Sequence, residues 1–104
     1  MNPRVPEANT KIRIVVGKLN EELNKAATRC ARILIQGLYE QDPDTHRTNM
    51  QELERELSDI HACIKFAEAE LGIYAAQSRT IEKLNGYYKW LELLGISATK
   101  LEGK

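Results

Sequence analysis

No run of the sequence approaches the roughly 18 consecutive apolar residues that a membrane-spanning helix needs, so no membrane partner is expected. The opening stretch, MNPRVPEANT, has no apolar signal core. Cysteine is scarce, and the two present, Cys30 and Cys63, show no metal-ligand spacing. These absences lead to the expectation of a cytoplasmic protein with reduced thiols. An excess of one charge is missing as well. Fifteen basic and fifteen acidic residues give a formal net charge of zero. That balance provides no broad electropositive footprint, so a nucleic-acid partner is not expected. Convincing strands and low-complexity segments are also absent.

What remains is helical. The 104 residues suffice for one domain with one modest core, and a hydrophobic fraction of 42% argues for a folded chain. Residues 1–8, with two prolines, read as a flexible arm. A first helix is expected from Asn9 or Thr10, because Ile12, Val15, Val16, Leu19, Leu23, Ala26, Cys30, Ile33 and Leu34 recur at three- and four-residue steps. Gly37 is its stop signal. The polar segment through Pro43 is a loop. Asn49 with Glu52 resembles a capping box and starts a second helix carrying Leu53, Leu57, Ile60, Ile64, Ala67 and Leu71, with Gly72 at its end. A third, shorter helix holds Ile81, Leu84, Tyr88, Leu91 and Leu94 and stops at Gly95. Residues 73–79 fit either helix or connector. Residues 96–104 form a tail. The fold class is therefore all-α: one domain over 9–95, two long helices and a shorter C-terminal one. The apolar stripes are wider than one copy covers, so the bundle is expected to be completed by homo-oligomerisation. A monomeric three-helix bundle with exposed apolar surface is the alternative.

Two carboxylates stand beside the second helix's apolar stripe. On a helical wheel with Leu53 at zero, Glu56 falls about 60° to one side and Asp59 about 120° to the same side. Leu57, Ile60 and Ile64 stay close to Leu53, so Glu56 borders the stripe expected to be buried. The first helix repeats the arrangement: LNEELNKA (19–26) aligns with LERELSDI (53–60), which sets Glu22 against Glu56. If the two helices pack antiparallel across their stripes, these acidic flanks converge. Magnesium takes hard oxygen ligands, a few carboxylates together with water and substrate phosphates. Carboxylates gathered without a cation repel, and one must take up a proton. Alternatively, these are solvated surface acids in weak pairs with neighbouring Lys and Arg.

The run from Glu21 to Ile73 resembles the MazG-like all-α nucleoside triphosphate pyrophosphohydrolases. That family carries E-E-x-x-E on one helix, a loop of variable length, then E-x-x-D on the next. Here EELNK (21–25) stands at the first motif, ELSD (56–59) at the second, and GLYEQDPDTHRTN between them. The likeness covers about half of the chain closely and the last helix loosely. It implies a homodimer or homotetramer that uses magnesium or manganese to hydrolyse a nucleoside triphosphate to the monophosphate and pyrophosphate. By position it implies Glu22, Glu56 and Asp59 as metal-binding and catalytic residues, with Glu21 outside the ligand set. It also places Lys25, Arg79, Lys83 and Asn85 where phosphates or sugar would be contacted.

The chain departs from the family at Lys25, a cation where the family has its last motif glutamate. Three arrangements are open: Lys25 swings out, reaches a substrate phosphate, or neutralises the carboxylates and leaves a non-catalytic helical oligomer. Thr28 replaces a glutamine common in the family. Elsewhere the bland readings prevail. Arg79, Lys83 and Asn85 equally suit an exposed face, Tyr87, Tyr88 and Trp90 suit packing, and Glu68 and Glu70 suit the surface. His61 and Cys63, two residues apart on a helix, do not face one another as a nucleophile pair.

Overall fold

A computed structural model describes residues 4–99 and 101. They form three α-helices, α1 (Thr10–Gln36), α2 (Asn49–Leu71) and α3 (Gln77–Leu93), with no strand among the described residues. The fold is all-α, and no described helix is long and apolar enough to cross a membrane. The chain divides into two units, Met1–Ile73 and Tyr74–Lys104.

In the first unit α1 and α2 make an antiparallel hairpin. Asn9 caps α1, its Oδ1 accepting from the Ile12 amide at 3.0 Å. At the other end Gly37 adopts φ 96°, a value that disfavours any side chain, and its amide donates to the Ile33 carbonyl at 2.7 Å. The loop then folds on Asp42, whose Oδ1 accepts from the amides of Asp44 (2.8 Å) and Thr45 (3.0 Å). These two bonds hold the Asp42 carboxyl below its usual range. A bridge between Gln41 and Thr48 closes the reversal.

The cap of α2 lies one residue before the expected one. Thr48 Oγ1 accepts from the Gln51 amide at 3.1 Å, and Gln51 Oε1 accepts from the Thr48 amide at 2.8 Å. Asn49 and Glu52 serve the hairpin seam instead. Gly72 ends α2 in the left-handed region, at φ 68°. Residues 73–76 are a connector rather than helix, and in the second unit α3 closes through Leu94 and Gly95, the latter at φ 71°.

The buried face of α2 differs from the one expected. Leu57 and Ile64 are 49% and 37% exposed, whereas Glu52, Glu56, Ile60, Cys63 and Ala67 are buried. Relative to the leucine stripe, the helix is rolled by about 60°, which puts Glu56 near the centre of the packed face. The reason lies on α1. Its inner face presents Glu22, Arg29 and Gln36, and only the polar edge of α2 supplies partners for Arg29 and Gln36. Leu57 and Ile64 are consequently left outside the seam, and Leu53 and Leu71 are half-buried at its edge.

Candidate metal centre

Polar rungs cross the seam between α1 and α2. Near the loop, Asn49 Nδ2 donates to Gln36 Oε1 at 3.3 Å. Further along, Arg29 lies 3.1 Å from Glu52, and at the far end Lys11 Nζ lies 2.9 Å from Glu70. Each of these joins complementary partners. One rung joins like charges: Glu22 of α1 meets Glu56 and Asp59 of α2, each offering an oxygen within 4.8 Å of the others.

This rung is the least solvated part of the seam. Glu22 is 7% exposed and Glu56 6%, while Asp59 opens to solvent. Glu22 Oε2 and Glu56 Oε1 are fully buried and meet no hydrogen-bond partner. Buried polar atoms are ordinarily satisfied, so two orphaned oxygens in one cluster call for a ligand. Burial pushes the Glu56 carboxyl up, helped by a hydrogen bond shared with Glu22 and by the negative charges of Glu22 and Asp59; Lys25 opposes the shift. Two full charges about 5 Å apart repel by about 3 kcal/mol at an effective dielectric near 20. The half-exposed Lys25 ammonium offsets only a small part of that. A proton or a cation is required to quiet the cluster.

Lys25 makes no ion pair within 4.0 Å with Glu56 or Asp59. Its Nζ lies 3.3 Å from Glu21 and 3.5 Å from Glu22 Oε1, the oxygen opposite the orphaned one. The hydrogen bond to Glu21, then the charges of Glu22 and Glu21, raise its pKa and keep it protonated. A metal ion held at Glu22 Oε2 would leave Oε1 to Lys25. Glu21 is drawn outward between Lys18 (3.4 Å) and Lys25, which keeps it out of the cluster.

The donor set is oxygen only, drawn from two rigid helices, with buried lone pairs lacking partners. It suits a hard divalent ion such as magnesium, with Asp59 on the side open to water. A groove of about 700 Å³ leads away from the cluster, walled by Ile14, Gly17, Ala62 and Phe66, with Glu22 and Asp59 where it meets the carboxylates.

Glu52, one turn before Glu56, is equally buried but fully compensated. Arg47 and Arg29 each bind one of its oxygens, and the Arg47 hydrogen bond above all lowers its pKa. The sequence reading assigned Glu52 to a cap and missed this pairing. The available signal was Arg29 standing seven residues from Glu22, two turns along the same face. The remaining candidates lie in the second unit. Arg79 pairs with Glu82 at 3.2 Å, Lys83 Nζ sits 5.2 Å from the centroid of the Tyr87 ring, and Asn85 is exposed.

Comparison of the chain with family models, curated proteins and solved structures finds no match. The geometry of the site therefore carries the functional reading.

Proposed function

We propose that the protein is a MazG-like, magnesium-dependent nucleoside triphosphate pyrophosphohydrolase. The supporting observation is the buried Glu22–Glu56–Asp59 cluster with two orphaned oxygens, built by residues of the EELNK and ELSD segments. In the reaction a water oxygen bonds to the α-phosphorus, and the bond from that phosphorus to the α–β bridging oxygen breaks. Nucleoside monophosphate and pyrophosphate leave, and the water proton passes to solvent or the leaving group. A bound divalent ion supplies charge neutralisation of phosphate oxygens and a more acidic water. Glu22, Glu56 and Asp59 would hold it. Lys25, protonated beside Glu22, supplies a point charge for a phosphate oxygen.

The same reading includes self-association. Leu34 and Ile35 of α1, Leu57 and Ile64 of α2, and Ile81, Leu84 and Tyr88 of α3 are exposed, more apolar surface than a lone chain of this size ordinarily presents. A second copy is the occupant proposed for it, in a twofold helical assembly.

The test is pyrophosphate release from a panel of ordinary and modified nucleoside triphosphates with magnesium. We expect turnover that is abolished by EDTA and by Asp59→Asn. Absence of turnover across the panel would favour a second reading, a non-catalytic helical oligomer. The Lys25–Glu22 ion pair at 3.5 Å is the observation on its side.

A further inference from the structure

The acidic cluster stands between two different hollows. Towards the start of α1 lies the apolar groove of Ile14, Gly17, Ala62 and Phe66. Towards the end of α1 lies a smaller hollow, about 180 Å³, lined by Lys25, Thr28, Arg29 and Arg32. Both open on the same flank of the helix. Ile14, Lys18, Glu21, Lys25, Thr28 and Arg32 follow one another at four- and three-residue steps, which keeps them on one stripe. Along this stripe Ile14 comes first, Glu21 lies one residue before Glu22 of the cluster, and Lys25 and Arg32 follow.

The second hollow is rich in unspent donors. Arg29 is anchored to the buried Glu52 through one guanidinium nitrogen, at 3.1 Å, so its other N–H groups remain available. Arg32 has no ion pair within 4.0 Å among the described residues. The Thr28 hydroxyl donates to the Asn24 carbonyl at 3.1 Å and keeps acceptor capacity. From Lys25 to Arg32 the stripe rises about 10 Å along the helix axis, enough to track a diphosphate. Three cations at this spacing, Lys25 held by Glu21 and Glu22, Arg29 by the buried Glu52, and Arg32 in no such ion pair, make a surface suited to an anion.

We infer that the Lys25–Arg29–Arg32 hollow binds the pyrophosphate part of the substrate, with the nucleoside lying on the opposite side of the carboxylate cluster, in the Ile14–Phe66 groove. The inference rests on the pyrophosphohydrolase reading for the identity of the substrate. Cleavage at the α-phosphorus requires that atom at the carboxylates, so the two halves of the substrate leave it in opposite directions. The charged half meets cations, and the flat, largely apolar half meets Phe66. The polarity of the substrate along α1 is thereby set. Lys25, at the departure of the family motif, becomes the first member of the phosphate track, one turn beyond Glu22.

The experiment measures inhibition of the intact protein by inorganic pyrophosphate and, separately, by the nucleoside monophosphate product, with direct calorimetric binding of magnesium pyrophosphate alongside. We expect Arg32→Ala to weaken pyrophosphate inhibition by about tenfold and to leave monophosphate inhibition unchanged. Phe66→Ala should do the reverse. Thr28→Glu, an exposed change on a helix surface, should repeat the Arg32 result should Arg32→Ala fold poorly. Turnover with unaltered pyrophosphate inhibition in both Arg32→Ala and Thr28→Glu overturns the subsite and leaves the hydrolase reading standing. No turnover, but pyrophosphate binding that Arg32→Ala weakens, keeps the subsite and removes the hydrolase reading. No pyrophosphate binding by the unaltered protein overturns the subsite outright.

Discussion

Glu22 and Glu56 face each other across the seam of two antiparallel helices, each with one buried oxygen that no donor reaches. The rest of the seam is apolar or charge-matched, as at Arg29–Glu52 and Lys11–Glu70. A like-charge rung in the middle of such a seam works against folding unless something is bound there, and the expectations below follow from that.

Glu56→Gln should stabilise the metal-free protein. Burial raises the Glu56 carboxyl, so folding favours its protonated form. That contribution is complete below the ordinary carboxylate range and is lost as pH rises through the raised value; at neutral pH the charged form is a liability. In EDTA at pH 7.5 or thereabouts we expect the variant's melting temperature to lie a few degrees above the wild type's. With magnesium the order should reverse, because only the wild type gains from binding. A lower melting temperature for Glu56→Gln in EDTA would count against the strained rung.

Glu52 behaves oppositely. Arg47 and Arg29 depress its pKa, so its stabilisation is present above the ordinary carboxylate range and fades as pH falls through the lowered value. Glu52→Ala should cost about 2 kcal/mol in urea unfolding at neutral pH, since two arginines lose a buried carboxylate. The difference should shrink towards pH 3. A pH-independent difference would mean that packing rather than the ion pairs is lost.

Lys25→Glu restores the family's first motif. With Lys25 off Glu22 Oε1 and a further carboxylate one turn on, divalent-ion affinity should rise by about tenfold, read by calorimetry. Pyrophosphate inhibition should weaken in the same variant, because the phosphate track loses its first cation. A rise in both affinities would contradict the role given to Lys25.

Leu57→Glu probes the face left outside the seam. Leu57 is half exposed in the single chain, so a monomer tolerates the change, whereas an assembly that covers this face does not. Sedimentation should show a multimer for the wild type and a shift to monomer for the variant, with helical circular dichroism retained. A wild-type monomer would overturn the proposed self-association.

The helices were legible in the sequence because each property that fixes them is local. The three- and four-residue apolar steps, Asn9 before α1, and Gly37 and Gly72 after α1 and α2 all act within a turn or two of chain. The roll of α2 was not legible in the same way. Leu53, Leu57 and Ile64 mark the more apolar face, but the face that packs is chosen by what α1 offers opposite, namely Arg29 for Glu52 and Gln36 for Asn49. Those partners lie 23 and 13 residues away in sequence, beyond the reach of a wheel drawn on one helix. For the same reason the wheel placed Glu56 at an edge, whereas it lies near the centre of the seam. The hollow beyond Lys25 escaped notice because Arg29 and Arg32 read as ordinary surface cations until Glu52 is seen to anchor one of them.

The most direct measurement is calorimetric titration of the metal-free protein with magnesium, repeated with manganese. We expect one saturable divalent site per chain, weakened at least about tenfold by Asp59→Asn and by Glu56→Gln, and unaltered by Glu54→Gln on the exposed face of the same helix. No saturable binding, or equal binding by all of these proteins, would contradict the claim that Glu22, Glu56 and Asp59 are brought together to hold a cation.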